Sequence, residues 1–156
     1  MVARDYETDL KVLFPNSEVK RSEPRYFWVG IERDALLHAV RTLRDRLGIH
    51  HLTTIVGEDM RDHFLLSYIM SGEVVVVLLV RVDRDKPEVP TLSFVTPGAT
   101  VYERELHDLL GIMPVGHPDL RRQVLPEDWP AGVYPLRKDA VVPHAAAEGE
   151  EGEPNA

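Results

Sequence analysis

The chain has 156 residues, 44% hydrophobic and 28% charged, with a formal net charge of −8 and no cysteine. That length and apolar content suit one domain with a single core, and the acidic balance offers no basic stripe for nucleic-acid phosphates. Without thiols there are no disulfides, no cysteine nucleophile and no thiolate ligands for an iron–sulfur cluster, so any such centre is expected on another chain.

The opening "MVARDYETDLKVLF" lacks the apolar core of a signal peptide, and the longest apolar run, Val74–Val80, is far shorter than a bilayer span, so no membrane-spanning segment is expected. Tyr6, Leu10 and Leu13 recur at helical spacing within 4–14, and Pro15 stops that helix. "RYFWVGI" (25–31) is aromatic and β-branched and predicts a strand. The clearest helix follows, with Asp34 as its expected cap, Leu36, Ala39, Val40, Leu43 and Leu47 on one face, and Gly48 as its end. His50 and His51 then suit the negative end of that helix dipole.

His51–Gly57 predicts a strand, and "HFLLSYIM" and "EVVVVLLVRVD" flank Ser71-Gly72 as a hairpin. Because Val74–Val80 is apolar without alternation, that strand is expected at the centre of a sheet, covered on both faces by helices or by a partner. Thr91–Val95 predicts one more strand. Thr96–Gly111 predicts a second long helix, with Tyr102, Leu106, Leu109 and Leu110 on one face and Glu103, Arg104, Glu105, His107 and Asp108 on the other. From Gly111 to Pro143 no period persists, yet this stretch holds six of the twelve prolines. The expected fold is α+β: a two-layer domain over 1–110 with a mixed sheet and helices on it, an extended proline-rich partner-binding segment over 111–144, and an acidic tail over 145–156. The tail, with Glu148, Glu150, Glu151 and Glu153, is expected to be disordered.

Four kinds of chemistry can be weighed. His107, Asp108, His117 and Asp119 supply imidazoles and carboxylates for a divalent ion, as a stand-alone metal-dependent enzyme would need, but without a spacing such as HExxH. Catalysis through Glu103, Glu105 or Asp108 competes with the ordinary solvated or partner-bound helix flank. No GxGxxG or GxxxxGK[ST] run is present to cradle a phosphate. The fourth is a strap across a partner, with prolines keeping it extended, Arg121, Arg122, Arg137 and Lys138 reaching carboxylates, and Trp129 and Tyr134 as anchors. The same composition also suits a segment that packs back on its own sheet.

"ERELHDLLGI", then "GHPDLRRQVLPEDW" and "PLRKD", resembles the signature of the thirty-kilodalton subunit family of respiratory complex I and of the related membrane-bound energy-converting NiFe hydrogenases. The resemblance implies a cofactor-free subunit docked on a large catalytic-type subunit, peripheral to the cytoplasmic side of the inner (plasma) membrane. Iron–sulfur clusters, and a flavin or NiFe centre, are then expected on partner subunits. On this resemblance the partner interface comprises Glu103, Arg104, Glu105, Asp108, His117, Asp119, Arg121, Arg122, Asp128, Trp129, Tyr134, Arg137, Lys138 and Asp139. Quinone-reducing members usually follow the tryptophan with a Gly-His-Pro-Leu-Arg-Lys run, where this chain has "WPAGVYPLRKD", which is more similar to the hydrogenase branch.

Overall fold

The computed structural model describes residues 4–142; the acidic tail expected over 145–156 lies outside them. Helix α1 (Tyr6–Leu13) begins where the Asp5 carboxylate accepts the Thr8 N–H (3.3 Å), and it buries Tyr6 and Leu10. It leads to β1 (Val19–Glu23) and β2 (Tyr26–Ile31), an antiparallel pair. Strand β1, "VKRSE", has no apolar alternation to announce it; it forms a charged edge, a common protection against further pairing.

A 3-10 turn, Arg33–Ala35, feeds α2 (Leu36–Leu47). Asp34 does not cap this helix as expected: it lies inside the turn, and its carboxylate accepts from Arg33 Nε (2.9 Å). The five apolar residues predicted for one face are all buried, and Gly48, at φ 69°, ends the helix. His50 Nδ1 lies 2.9 Å from the Gly48 carbonyl, as a residue at a helix exit should.

Strands β3 (His51–Asp59), β4 (His63–Ser71) and β5 (Val75–Asp83) complete a five-stranded sheet of order β1-β2-β5-β4-β3, in which β2 and β5 are parallel and the other pairs antiparallel. Beyond it lie β6 (Glu88–Pro90), α3 (Ala99–Leu110) and β7 (Met113–Val115), with β6 and β7 pairing parallel. The core joins Phe27, Val29, Phe64, Leu66, Tyr68, Val76, Leu78 and Val80 of the sheet to Leu10 of α1, Leu36, Val40 and Leu43 of α2, and Leu106 and Leu110 of α3. At Gly57 α3 comes so close to β3 that a Cβ would stand 2.6 Å from Leu106 and Leu110. Among the described residues no helix is long and apolar enough to cross a membrane.

Strand β5 is central, as expected; within this chain helices cover one face of the sheet, and on the other Tyr26, Trp28 and Val56 stay about 40% exposed. Val77 on that open face is nonetheless buried, because Trp28 on β2 and Ile69 on β4 flank it directly. Thr91–Val95 is a turn rather than a strand, drawn into that shape by hydrogen bonds to Glu103. The segment after Gly111 is not wholly aperiodic either, since Met113–Val115 finds a ladder on β6.

Both long helices end on a left-handed glycine, but the two sites differ. At Gly48 a Cβ would meet open space, whereas at Gly111 (φ 71°) it would stand 2.5 Å from the Tyr134 ring and 2.8 Å from Arg137. Gly48→Ala is therefore expected to cost about 1 kcal/mol in left-handed strain alone. Gly111→Ala should cost at least about 1 kcal/mol more, because the overlapped ring must move. Urea unfolding of the two variants measures the difference, and equal losses would mean that Tyr134 does not pack there.

Candidate functional site

The stretch from Gly111 to Val142 has only β7 as regular structure, so its buried backbone groups must find side-chain partners. Helix α3 supplies several from one face. Asp108 is buried and accepts the backbone N–H groups of Gln123 (2.7 Å), Val124 (2.9 Å) and Leu125 (3.4 Å). Burial pushes the Asp108 carboxyl up, but these three donors outweigh it and hold the group below its ordinary range. Arg104 donates from Nε and Nη2 to the carbonyls of Arg121 and Arg122, each at 2.7 Å. Glu103, 1% exposed, accepts from the Thr91 hydroxyl (2.5 Å), the Leu92 N–H (2.6 Å) and the Ser93 hydroxyl (3.0 Å). The helix flank read as solvated or partner-bound is thus divided: Glu103 and Asp108 are buried within this chain, while Glu105 is exposed.

The rest of the segment is fastened in the same way. The His117 imidazole is fully buried, with Nε2 3.2 Å from the Thr100 carbonyl and Nδ1 accepting the Asp119 N–H (3.0 Å). Those two bonds together require the proton on Nε2. Arg122 Nη2 donates to the Trp129 carbonyl (3.0 Å), and Trp129 Nε1 donates to the Val133 carbonyl (2.8 Å). Arg137 Nε donates to the Leu110 carbonyl (2.7 Å), with its guanidinium over the rings of Tyr134 (4.5 Å) and Phe64 (5.1 Å).

The far end is clamped by two residues that the sequence does not single out. Asp59, at the end of β3, accepts from Arg84 (2.5 Å), from the Arg61 N–H (2.7 Å) and from the Lys138 N–H (2.8 Å), and Arg84 also reaches Asp139 (2.5 Å). One signal is present in the sequence: Asp59 falls on the same strand face as the inward-pointing Ile55, where an apolar residue belongs. A polar residue at an inward position needs partners.

The four candidate metal ligands are engaged separately. His107 Nδ1 lies 3.2 Å from the Ile112 carbonyl, Asp108 holds three N–H groups, His117 bridges Thr100 and Asp119, and Asp119 binds Arg121 Nε at 2.8 and 3.0 Å. Among the described residues no three His, Asp or Glu gather where an ion could sit, so the metal-enzyme alternative is not favoured. Of the expected interface set, Glu105, Arg121, Asp128, Lys138 and Asp139 are exposed; Arg104, Asp119, Arg122, Trp129, Tyr134 and Arg137 are half-buried. Arg104, Arg121 and Arg122 border an open cleft of about 600 Å³ with Leu125, Pro126 and Glu127.

Burial alone would raise the Asp59 carboxyl, but the Lys138 and Arg61 N–H groups and the Arg84 guanidinium together lower it from 3.8 to about 2. A depressed carboxyl contributes stability above its unfolded value and loses it as the pH falls through the folded value. That contribution, about 2 kcal/mol, is therefore present above roughly pH 4 and lost toward pH 2. Asp59→Asn should lower the unfolding free energy by about that amount at pH 7 and flatten its decline between pH 4 and 2. Denaturant titrations across that window measure both, and unchanged acid sensitivity in the variant would assign the decline to other carboxyls.

The model of the family described as respiratory-chain NADH dehydrogenase, 30 Kd subunit, matches residues 29–146. Formate hydrogenlyase subunit 5 of Escherichia coli (strain K12) is 42% identical over 97 residues, which are 58% of this chain and 17% of that one. The C-subunit of NADH-quinone oxidoreductase from Moorella thermoacetica is 35% identical over 138 residues, 84% of this chain and 90% of that one. This chain therefore spans about a sixth of the first relative and nearly all of the second. The solved membrane-bound sulfane sulfur reductase, an archaeal respiratory membrane complex, contains a chain of the same fold, with a TM-score of 0.77 at 23% identity over 87% of this chain and 85% of that one. With its family signature lying on α3 and the fastened segment after it, the chain belongs to the 30 kDa subunit family of the respiratory-chain NADH dehydrogenase.

Proposed function

We propose that this chain is a structural subunit of the peripheral arm of a complex I-related membrane oxidoreductase, of the quinone-reducing or the hydrogenase type. It docks on the large catalytic-type subunit and helps to join the cluster-bearing subunits, and it performs no redox step itself. The iron–sulfur clusters, and the flavin or NiFe centre, belong to those partners. The assembly sits on the cytoplasmic side of the inner (plasma) membrane, with this chain as a peripheral subunit.

The observation that carries this reading is how the motif residues are used. Glu103, Arg104, Asp108, His117, Arg122 and Arg137 bind this chain's own loops, which shapes a surface, and the acid–base candidates among them, Glu103, Asp108 and His117, have buried side chains. The relatives support the choice of partner. In formate hydrogenlyase subunit 5 the matched region is a small part of a longer chain, whereas the Moorella thermoacetica protein is almost all matched. The same unit thus occurs joined to a larger body and separate from it, as expected of two parts that work in contact.

The segment from 111 to 144 is the docking strap of this reading. Its outward groups, Arg121, Asp128, Lys138 and Asp139, with Glu105 on α3, supply charge for recognition, and Trp129 and Tyr134 supply apolar area. The Arg104–Arg121–Arg122 cleft suits partner carboxylates, because the Arg104 and Arg122 guanidinium forks are already held by carbonyls, and that of Arg121 by Asp119, so they need little further ordering.

Arg122→Lys keeps the charge but loses the fork that holds the Trp129 carbonyl. The expected result is less assembled complex on native gels, a free subunit that still folds, and near-normal turnover per assembled particle. Trp129→Ala should weaken docking by at least about 1 kcal/mol, more than it destabilises the free chain. Full assembly with abolished turnover in Arg122→Lys would place the arginine in a reaction path and overturn the structural reading.

A further inference from the structure

The chain has four phenylalanines. Phe14, Phe27 and Phe64 are buried, and Phe94 is 76% exposed. A single exposed apolar side chain is ordinary; the way this one is mounted is not. Phe94 lies in the turn from Thr91 to Thr96, directly after Leu92 and Ser93, which are 0% and 8% exposed. The turn is pinned from beneath by Glu103, which takes the Thr91 and Ser93 hydroxyls and the Leu92 N–H. It is closed on itself by the Val95 and Thr96 N–H groups, both 2.8 Å from the Leu92 carbonyl, and tied to β7 by the Thr91 N–H on the Val115 carbonyl (3.0 Å). A buried carboxylate is costly to place, and this one spends three bonds on holding a turn that carries an outward aromatic ring.

The surroundings narrow what the ring meets. Val89–Tyr102 contains no charged residue, in a chain that is 28% charged. Val101 and Val115, both about half exposed, lie on the two elements that Glu103 and the turn tie together, α3 and β7. A nucleic acid or an anionic membrane would call for basic residues, and this stretch has none. A second copy would bring together two bodies of net charge −8. An exposed aromatic ring on a turn that hydrogen bonds hold in place, on an uncharged stretch, suits a contact with protein.

We propose that Phe94 is an anchor that inserts into an apolar pocket of the large partner subunit, and that Glu103 is a positioning residue that sets the turn in its bound shape before contact. Presetting the turn lowers the ordering cost of association. This inference rests on the docking reading above and names a contact outside the strap.

The test uses the purified full chain and the purified large subunit encoded with it, with binding measured by calorimetry. Val12→Ala, at another exposed apolar site on α1, serves as the control. Phe94→Ala is expected to weaken binding at least about tenfold with its melting temperature unchanged, while Val12→Ala binds like the parent chain. Glu103→Gln should weaken binding severalfold with Phe94 intact, together with faster amide exchange at Leu92–Thr96. If Glu103→Gln does not fold, the Phe94→Ala comparison decides alone. Wild-type binding matched by Phe94→Ala overturns this inference and leaves the docking reading in place. No binding by the wild-type chain overturns the docking reading and the anchor with it. Loss of self-association, or of binding to anionic vesicles, in Phe94→Ala with large-subunit binding unchanged would assign the ring to a second copy or to lipid and overturn the proposal.

Discussion

A backbone that leaves a sheet and packs against protein must still find a partner for each buried N–H and C=O. After α3 this chain has about thirty described residues and a ladder only three residues long, so side chains perform the pairing. Asp108 serves three successive N–H groups, Arg104 two carbonyls, Arg122 and Arg137 one carbonyl each, and Asp59 the Lys138 N–H together with that of Arg61. Hydrogen bonds to charged groups contribute roughly 1.5–3 kcal/mol each, about twice a neutral bond. An irregular segment held by several of them keeps one shape without secondary structure of its own.

That shape depends on α3 being a rigid rod. Residues 103, 104, 107 and 108 share one side of a helix, so charged groups adjacent in sequence reach two different loops, the 91–96 turn from Glu103 and the 121–125 stretch from Arg104 and Asp108. The adjoining side, through Leu106 and Leu110, is fixed to β3 by the missing side chain at Gly57. The sheet thus sets the helix, and the helix sets both loops. A protein whose task is to present a surface needs this kind of relay, because a contact mispositioned by a flexible loop must be ordered again at each encounter.

The two faces of the sheet are treated differently. One is filled by three helices and closed; the other carries Tyr26, Trp28 and Val56, with Val77 sheltered between cross-strand neighbours. A one-sided sheet of this kind ordinarily shows alternation along its strands. Strand β4 does alternate in burial, but β5 hides its pattern because Val75, Val77 and Leu79 all put apolar side chains on the open face. This is why the apolar run in β5 reads correctly as central, while the sequence does not show that this chain's own helices cover only one of its faces.

Much of the framework is legible from the sequence because it depends on neighbours in the chain. The five apolar residues of α2, the glycines that end both helices, the strands 51–59 and 63–71 and the hairpin at Ser71-Gly72 all follow from period or turn chemistry. The signature residues from Glu103 to Asp139 are likewise visible, and with them the family. What they touch is not. Glu103 meets a turn ten to twelve residues upstream, Asp108 meets N–H groups fifteen to seventeen residues downstream, and Asp59 meets Lys138 across 79 residues. A charged side chain carries no mark of whether water, a partner or its own backbone will satisfy it. Only the folded chain brings the backbone groups within about 3 Å of these side chains, so the tertiary structure alone decided which of the signature's charges are spent inside and which face outward.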